Sequence, residues 1–287
     1  MDSAELLKRV RKIEIKTKGL SSQIFSGEYH SAFKGRGMAF SEVREYVDGD
    51  DVRNIDWNVT ARYGNPYVKI FEEERELTVM LLVDVSQSGM FGSNTQLKKD
   101  LITELTATIA FSAIQNNDKA GVIFFSDRIE KYIPPKKGKT HILRIIRELV
   151  DYKPASKGTN ISLVLKYLNN TIKKRCIAFV ISDFMDSGFD DAIKVSSKKH
   201  DLAALRIFDP REEEMPDVGL VRFKDSETGF VSVMDTSDSN VRNNYRLFFQ
   251  QTARQTTELL NKSGVDHVAI RTDQSYVRPL MNLFKQR

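Results

Sequence analysis

Unbroken apolar runs separated by amphipathic helices set the pattern of this chain from residue 77 onward. Residues 79–83 are continuously apolar and end abruptly at Asp84. Such a run predicts a buried strand whose carboxyl end opens into a polar loop, here Asp84-Val85-Ser86-Gln87-Ser88-Gly89. A helix follows over 96–115, with Leu97, Leu101 and Leu105 at i,i+4 spacing. Then come strand 120–125, a short segment 129–133 closed by Pro134-Pro135, a helix over 141–150, and a helix beginning near Thr159. Strand 176–181, helix 188–199 and strand 202–208 continue the alternation. At 210–236 the pattern breaks into two strand-like runs, 219–223 and 229–234, which predict an inserted β-hairpin. A long helix over 239–262, strand 265–270 and a helix from about Ser275 close the chain. Strands separated by helices need crossover connections, so the reading is α/β with a doubly wound, mostly parallel sheet covered on both faces.

The first 76 residues have a different texture. Leu6, Val10 and Ile13 share one side of a helix over 3–15, with Gly19 as its stop. Residues 33–75 mix Arg, Asp and aromatics densely around the Gly49-Asp50-Asp51 turn, which predicts a small module held by ion pairs as well as apolar packing, with Trp57 as its anchor. The expected organisation is therefore 1–76 as an N-terminal helix and small β module, and 77–287 as the α/β domain. Gly35-Arg36-Gly37 is too short for a dinucleotide loop. Asp48, Asp50, Asp51 and Asp56 lack the spacing of an EF-hand and have arginines beside them as partners.

Composition narrows the function classes. The net charge is +5, but 44 basic residues are interleaved with 39 acidic ones. The basic clusters, 8–12 and 136–139, are short and carry no aromatics for base stacking, which argues against nucleic acid as partner. The first cluster remains a candidate for peripheral contact with an acidic membrane surface. No apolar run reaches the length of a membrane span, and the single cysteine, Cys176, lies in an apolar strand as core filler. Together these point to a cytoplasmic protein. His30, His141, His200 and His267 fall on separate segments and read as surface or cap residues.

The candidate chemistry gathers at strand ends. In a parallel sheet the loops after strands 77–84 and 176–181, and the loop before the helix at 159, can open on one edge. They carry Asp84, Ser86 and Ser88, then Asp183, then Thr159. Carboxylates and hydroxyls are hard oxygen ligands suited to Mg²⁺, with Mn²⁺ or Ca²⁺ as substitutes. Taken alone, residues 84–89 are read equally well as a capped turn.

At these positions the sequence resembles the von Willebrand factor A-type domain, whose metal-ion-dependent adhesion site reads Asp-x-Ser-x-Ser, then a distant Thr, then a distant Asp. The resemblance implies that Ser86, Ser88 and Thr159 bind the ion directly and that Asp84 and Asp183 act through waters. Arg44-x-Tyr46, 49–57, Ala61-Arg62 and Glu74-Arg75 ahead of Asp84-x-Ser86, with Asp209-Pro210, Met215-Pro216 and Asp225-x-Glu227-Thr228-Gly229 behind it, resemble the domain-of-unknown-function family 58. That resemblance implies an adaptor or chaperone-like role beside MoxR-type AAA+ ATPases and other von Willebrand A-type proteins.

The leading expectation is thus a metal-dependent protein-interaction module without enzymatic activity, in which a partner's acidic side chain completes the metal's coordination. The alternative is a Mg²⁺-dependent phosphohydrolase on a Rossmann-like sheet, with Asp84 as nucleophile, Thr159 as phosphate ligand and Asp183 as metal ligand. Against the alternative, Ser86 stands where such enzymes place their general acid.

Overall fold

The computed structural model describes residues 3–25, 39–72, 77–92, 97–224 and 230–285. His30, Gly35-Arg36-Gly37, Glu74-Arg75 and the hairpin turn at 225–229 lie outside the described residues, as does the side chain of Leu6. The chain divides into two units: α1 (Ser3–Phe25) together with everything from Thr78 onward, and a smaller unit spanning Lys34–Leu77.

Helix α1 does not stop at Gly19 but continues to Phe25. An isolated glycine costs a helix only about 1 kcal/mol, which tertiary packing readily offsets. Val10, Ile13 and Thr17 are buried. Lys16 bonds Glu104 at 2.6 Å and Glu14 bonds Lys139 at 2.5 Å, fastening the helix to the α/β body. By its contacts this helix belongs with the α/β unit, so the grouping of residues 1–76 read from the sequence does not match the division of the chain.

The smaller unit pairs β1 (Ala39–Glu45) antiparallel with β2 (Tyr67–Glu72), joined through α2 (Trp57–Tyr63). Asp56 caps α2 by accepting from the Asn58 and Val59 amides, and Gly64 ends it in the left-handed region at φ 80°. Arg44 grips Asp50 with two hydrogen bonds of 2.8 Å, Arg53 meets Asp51 at 3.0 Å and Lys69 meets Asp56 at 3.4 Å. Asp50, Asp51 and Asp56 are thus each engaged by a cation of the same segment. Trp57 is not the expected anchor: it is 69% exposed, and among the described side chains of this unit Val68 is the buried apolar one.

In the α/β unit the strands are β3 (Thr78–Asp84), β4 (Lys119–Phe125), β5 (Ile129–Lys136), β6 (Ile177–Ser182), β7 (Asp201–Phe208) and β10 (Asp266–Arg271). The six form one sheet in the order β10-β7-β6-β3-β4-β5, parallel except for β5. Strand β5 runs on through Pro134 and Pro135, which the sequence placed as its end. Edge position explains this, since proline has no N–H to give a further neighbour. The pairing slips between Ala120 and Val122, and at Gly121 an added Cβ would lie 2.8 Å from the Pro135 nitrogen. Glycine is what lets the proline pair approach.

Helices α3 (Lys98–Gln115), α4 (Lys139–Asp151), α5 (Ile161–Thr171), α6 (Asp190–Lys199), α8 (Ser239–Lys262) and α9 (Val277–Lys285) cover the sheet. Alternate strand residues feed opposite faces. Met80, Leu82, Ala178 and Val180 pack with Ile161, Val164, Leu165 and Leu168 of α5 and Ile193 of α6. On the other face Phe179 meets Phe284 of α9 at 6.0 Å between ring centres. Between β7 and α8 lie a short helix α7 (Pro210–Glu213) and the hairpin of β8 (Leu220–Lys224) and β9 (Val231–Asp235), antiparallel as the sequence predicts. Chain order runs outward from β3 in both directions, so the sheet has its switch point between β3 and β6. In open α/β sheets that crevice is where ligands sit.

Candidate metal centre at the switch point

The two carboxylates come from adjacent strands. Val79–Val83 register against Ile177–Ile181, so Asp84 ending β3 and Asp183 following β6 face one another across the crevice. Asp84 Oδ1 accepts from the Ser86 amide at 2.9 Å, and its Oδ2 accepts from the Ser182 hydroxyl at 2.6 Å. Thr159 Oγ1, in the loop leading into α5, donates to the same Oδ2 at 3.5 Å. Ser86 starts a single 3₁₀ turn over Gln87–Met90, yet its hydroxyl does not cap that turn. Instead Ser86 Oγ and Ser88 Oγ lie 3.0 Å apart.

Asp183 is placed by strain. Phe184, next to it, has φ 57°, a conformation that L-residues adopt at a cost. Phe184 is fully buried against Phe189, ring centres 6.2 Å apart, which holds the turn. The turn aims the Met185 amide at Asp183 Oδ1, 3.2 Å away, and the Phe184 amide at Ser182 Oγ, also 3.2 Å.

Lys98, the first residue of α3, completes the cluster and was not singled out from the sequence. It is 1% exposed, and its Nζ donates to Asp183 Oδ2 at 2.9 Å and to Glu212 Oε1 at 2.6 Å. Glu212 is fixed by a capping box, in which Asp209 caps α7 and the Glu212 carboxylate takes the Asp209 amide at 2.9 Å. Arg206 adds a second, half-buried cation, its Nε 3.4 Å from the Asp183 carbonyl and its guanidinium 4.9 Å from the Phe249 ring centre.

The two aspartates titrate in opposite directions. Burial, then the charge of Asp183, pushes Asp84 up to about 7. Burial acts on Asp183 too, but the Lys98 ammonium and hydrogen bonds from Lys98, Ser88 and Met185 hold it below the usual carboxylate range. Burial works against the Lys98 ammonium, and Asp183 and Glu212 outweigh it and raise its pKa. One carboxylate therefore has a cation, and the other, among the described residues, is held by hydroxyl and amide donors.

All five residues predicted from the sequence, Asp84, Ser86, Ser88, Thr159 and Asp183, lie at this one edge of the sheet. As a donor set they suit a small hard cation. Neighbouring ligands of octahedral Mg²⁺ at 2.0–2.1 Å are about 3 Å apart, and the Ser86 and Ser88 hydroxyls have that separation. A cavity of about 10 Å³ among Asp84, Ser88, Lys98 and Asp183 is the size of a single water or ion. Among the described residues no three His, Cys, Asp or Glu side chains form a ligand cluster, so any ion here depends on the hydroxyls.

Two side chains of the cluster escaped sequence reasoning besides Lys98: Ser182, inside the strand run, and Glu212, whose signal was the Asp209-Pro210 start with Glu three residues on. Of the histidines, His200 ends α6 as a cap but is wholly buried, and His141 is half-buried with Nε2 3.0 Å from the Ala120 carbonyl.

A family described as "Protein of unknown function DUF58" matches residues 42–257. The uncharacterized protein Rv1480 of Mycobacterium tuberculosis is 26% identical over the whole of this chain and 91% of its own length, as is Mb1516 of Mycobacterium bovis. Among solved structures, the conserved hypothetical protein BatB from Bacteroides thetaiotaomicron is 16% identical, covering 73% of this chain and 98% of its own, with a TM-score of 0.48. The SpRpn10 VWA domain is 10% identical, covering 74% of this chain and 96% of its own, with a TM-score of 0.40.

Proposed function

This chain belongs to the DUF58 family, and we propose that it is a metal-dependent protein-interaction module rather than an enzyme. The observation that carries the proposal is the convergence of Asp84, Ser86, Ser88, Thr159 and Asp183 on the switch point, with Asp84 buried and held by hydroxyl and amide donors. In this reading Ser86, Ser88 and Thr159 hold Mg²⁺ directly, and Asp84 and Asp183 hold it through water. Mg²⁺ supplies the positive charge that draws in a partner's carboxylate. Lys98 keeps Asp183 ionised and anchored, and Ser182 fixes the rotamer of Asp84. The family resemblance supports a MoxR-type AAA+ ATPase or another von Willebrand A-type protein as the partner, and an adaptor role in the cytoplasm. No helix among the described residues is long and apolar enough to cross a membrane.

Thermal unfolding with and without Mg²⁺ tests the metal step. At a hundredfold excess over Kd, a ligand that binds only the native state adds about 2.7 kcal/mol of stability. Wild type is expected to rise in Tm and Asp84→Ala to remain unchanged. Equal responses would refute the site.

The phosphohydrolase reading gains one observation, a buried lysine beside Asp183. Ser86 at the general-acid position still counts against it. Turnover of a generic phosphomonoester that disappears in Asp84→Asn would establish it instead.

A further inference from the structure

Beside the candidate centre lies a cavity of about 520 Å³, within the range of roughly 300–1,000 Å³ typical of ligand pockets. Asp84 and Ser86 line it, and so do Ile102 of α3, Leu149 of α4, and Tyr152 and Pro154 of the loop that follows α4.

The cavity is preformed, because one carboxylate organises its outer wall. Glu130 accepts from the Tyr152 hydroxyl at 2.9 Å, from the Ala155 and Ser156 amides at 3.1 Å each, and from Ser126 Oγ at 2.7 Å. Lys99 Nζ reaches the Tyr152 carbonyl at 2.9 Å, and the Gln87 amide donates to the Lys157 carbonyl at 3.2 Å. Both sides of the cavity are thus tied to the same loop, and an occupant would not have to order it.

The lining is apolar in its walls and predominantly basic in its charged groups. Lys99, Lys153 and Lys157 line it, with Lys153 and Lys157 exposed, and Asp84 is its single acidic residue. A purely acidic ligand would leave the walls of Ile102, Leu149 and Pro154 unused, and a purely apolar one would make no use of the exposed Lys153 and Lys157. A segment that carries both kinds of side chain satisfies the whole surface.

We propose that this cavity receives an apolar side chain of an acidic protein segment whose neighbouring carboxylate completes the coordination at the adjacent centre. The proposal rests on the metal-dependent reading above and adds the partner's chemistry: an Asp or Glu with a large apolar residue within a few positions, flanked by further acids that meet Lys153 and Lys157.

The test is selection of a displayed random-peptide library on the full chain in Mg²⁺, followed by binding titrations of the enriched peptides. Two variants probe the cavity. Ala155→Trp fills it while keeping the backbone amide that Glu130 holds, and Lys153→Glu/Lys157→Glu reverses charge on two exposed side chains and does not depend on repacking. The expected result is enrichment of acidic peptides with an apolar anchor, with affinity falling about tenfold or more in each variant and the Mg²⁺ isotherm unchanged in Ala155→Trp. Absence of enrichment, enriched peptides without an apolar anchor, or unaltered affinity in both variants would overturn the proposal. Failure of the underlying reading is distinguishable: peptides that bind equally in chelator and in Asp84→Ala, yet are lost in Ala155→Trp, leave the cavity as a peptide site and remove the metal from it.

Discussion

Strand β6 carries buried ionisable groups at both of its ends, and the two ends treat charge in opposite ways. At its amino end Cys176 and His200 lie together, Sγ and Nδ1 3.3 Å apart, with the Cys176 amide donating to Nδ1. Burial pushes the thiol up to about 12 and the imidazole down to about 4, the latter helped by Lys199 and Arg175. Both are neutral at pH 7. At its carboxyl end Asp183 and Lys98 are as deeply buried but both are charged, because each supplies the other's counterion and Glu212 adds to the attraction. Burial alone leaves an ionisable group neutral, whereas a buried counterion keeps it charged. Cys176, a nucleophile by residue type, is inert by position, whereas the carboxyl end keeps an ion pair buried at the switch point.

The largest effect should come from breaking the charged end. Lys98→Met leaves the buried Asp183 and the half-buried Glu212 without their shared cation and should cost about 3–5 kcal/mol in urea unfolding. Adding Asp183→Asn to Lys98→Met should recover part of that loss, since a lone buried carboxylate is the costly species. The neutral end should respond to acid instead. The folded pKa of His200 lies below its unfolded value near 6.5, so its contribution is fully present above about 6.5 and is lost as pH falls toward 4. That loss is on the order of 3 kcal/mol, and His200→Gln should flatten the slope of stability against pH across that window. At pH 8 the Cys176 thiol should alkylate slower than a free cysteine by about 10³-fold or more in the native protein, and at the ordinary rate in denaturant. Trp57→Ala, on an exposed helix start, should change stability by less than about 0.5 kcal/mol.

The sheet was legible because its strands are uninterrupted apolar runs, and the five candidate ligands were legible because they end those runs or open the next helix. What could not be read depends on contacts between distant segments. Lys98 in a first helical turn has the look of a solvated residue, and its burial is decided by Glu212, 114 positions later. Gly19 and Pro134-Pro135 carry breaker chemistry, but packing of α1 and the free edge of β5 override it. Trp57 was expected inside because large aromatics dominate small cores, whereas ion pairs and a helix cap hold that segment.

The central claim is that the carboxyl end of β3 and β6 holds a cation. Crystals grown with Mn²⁺ and measured at its absorption edge test it most directly. The account predicts one anomalous peak within about 2.3 Å of Ser86, Ser88 and Thr159 hydroxyl oxygens, absent in Asp84→Ala. A wild-type map with no peak at that edge, while Lys98 remains bound to Asp183, would contradict it.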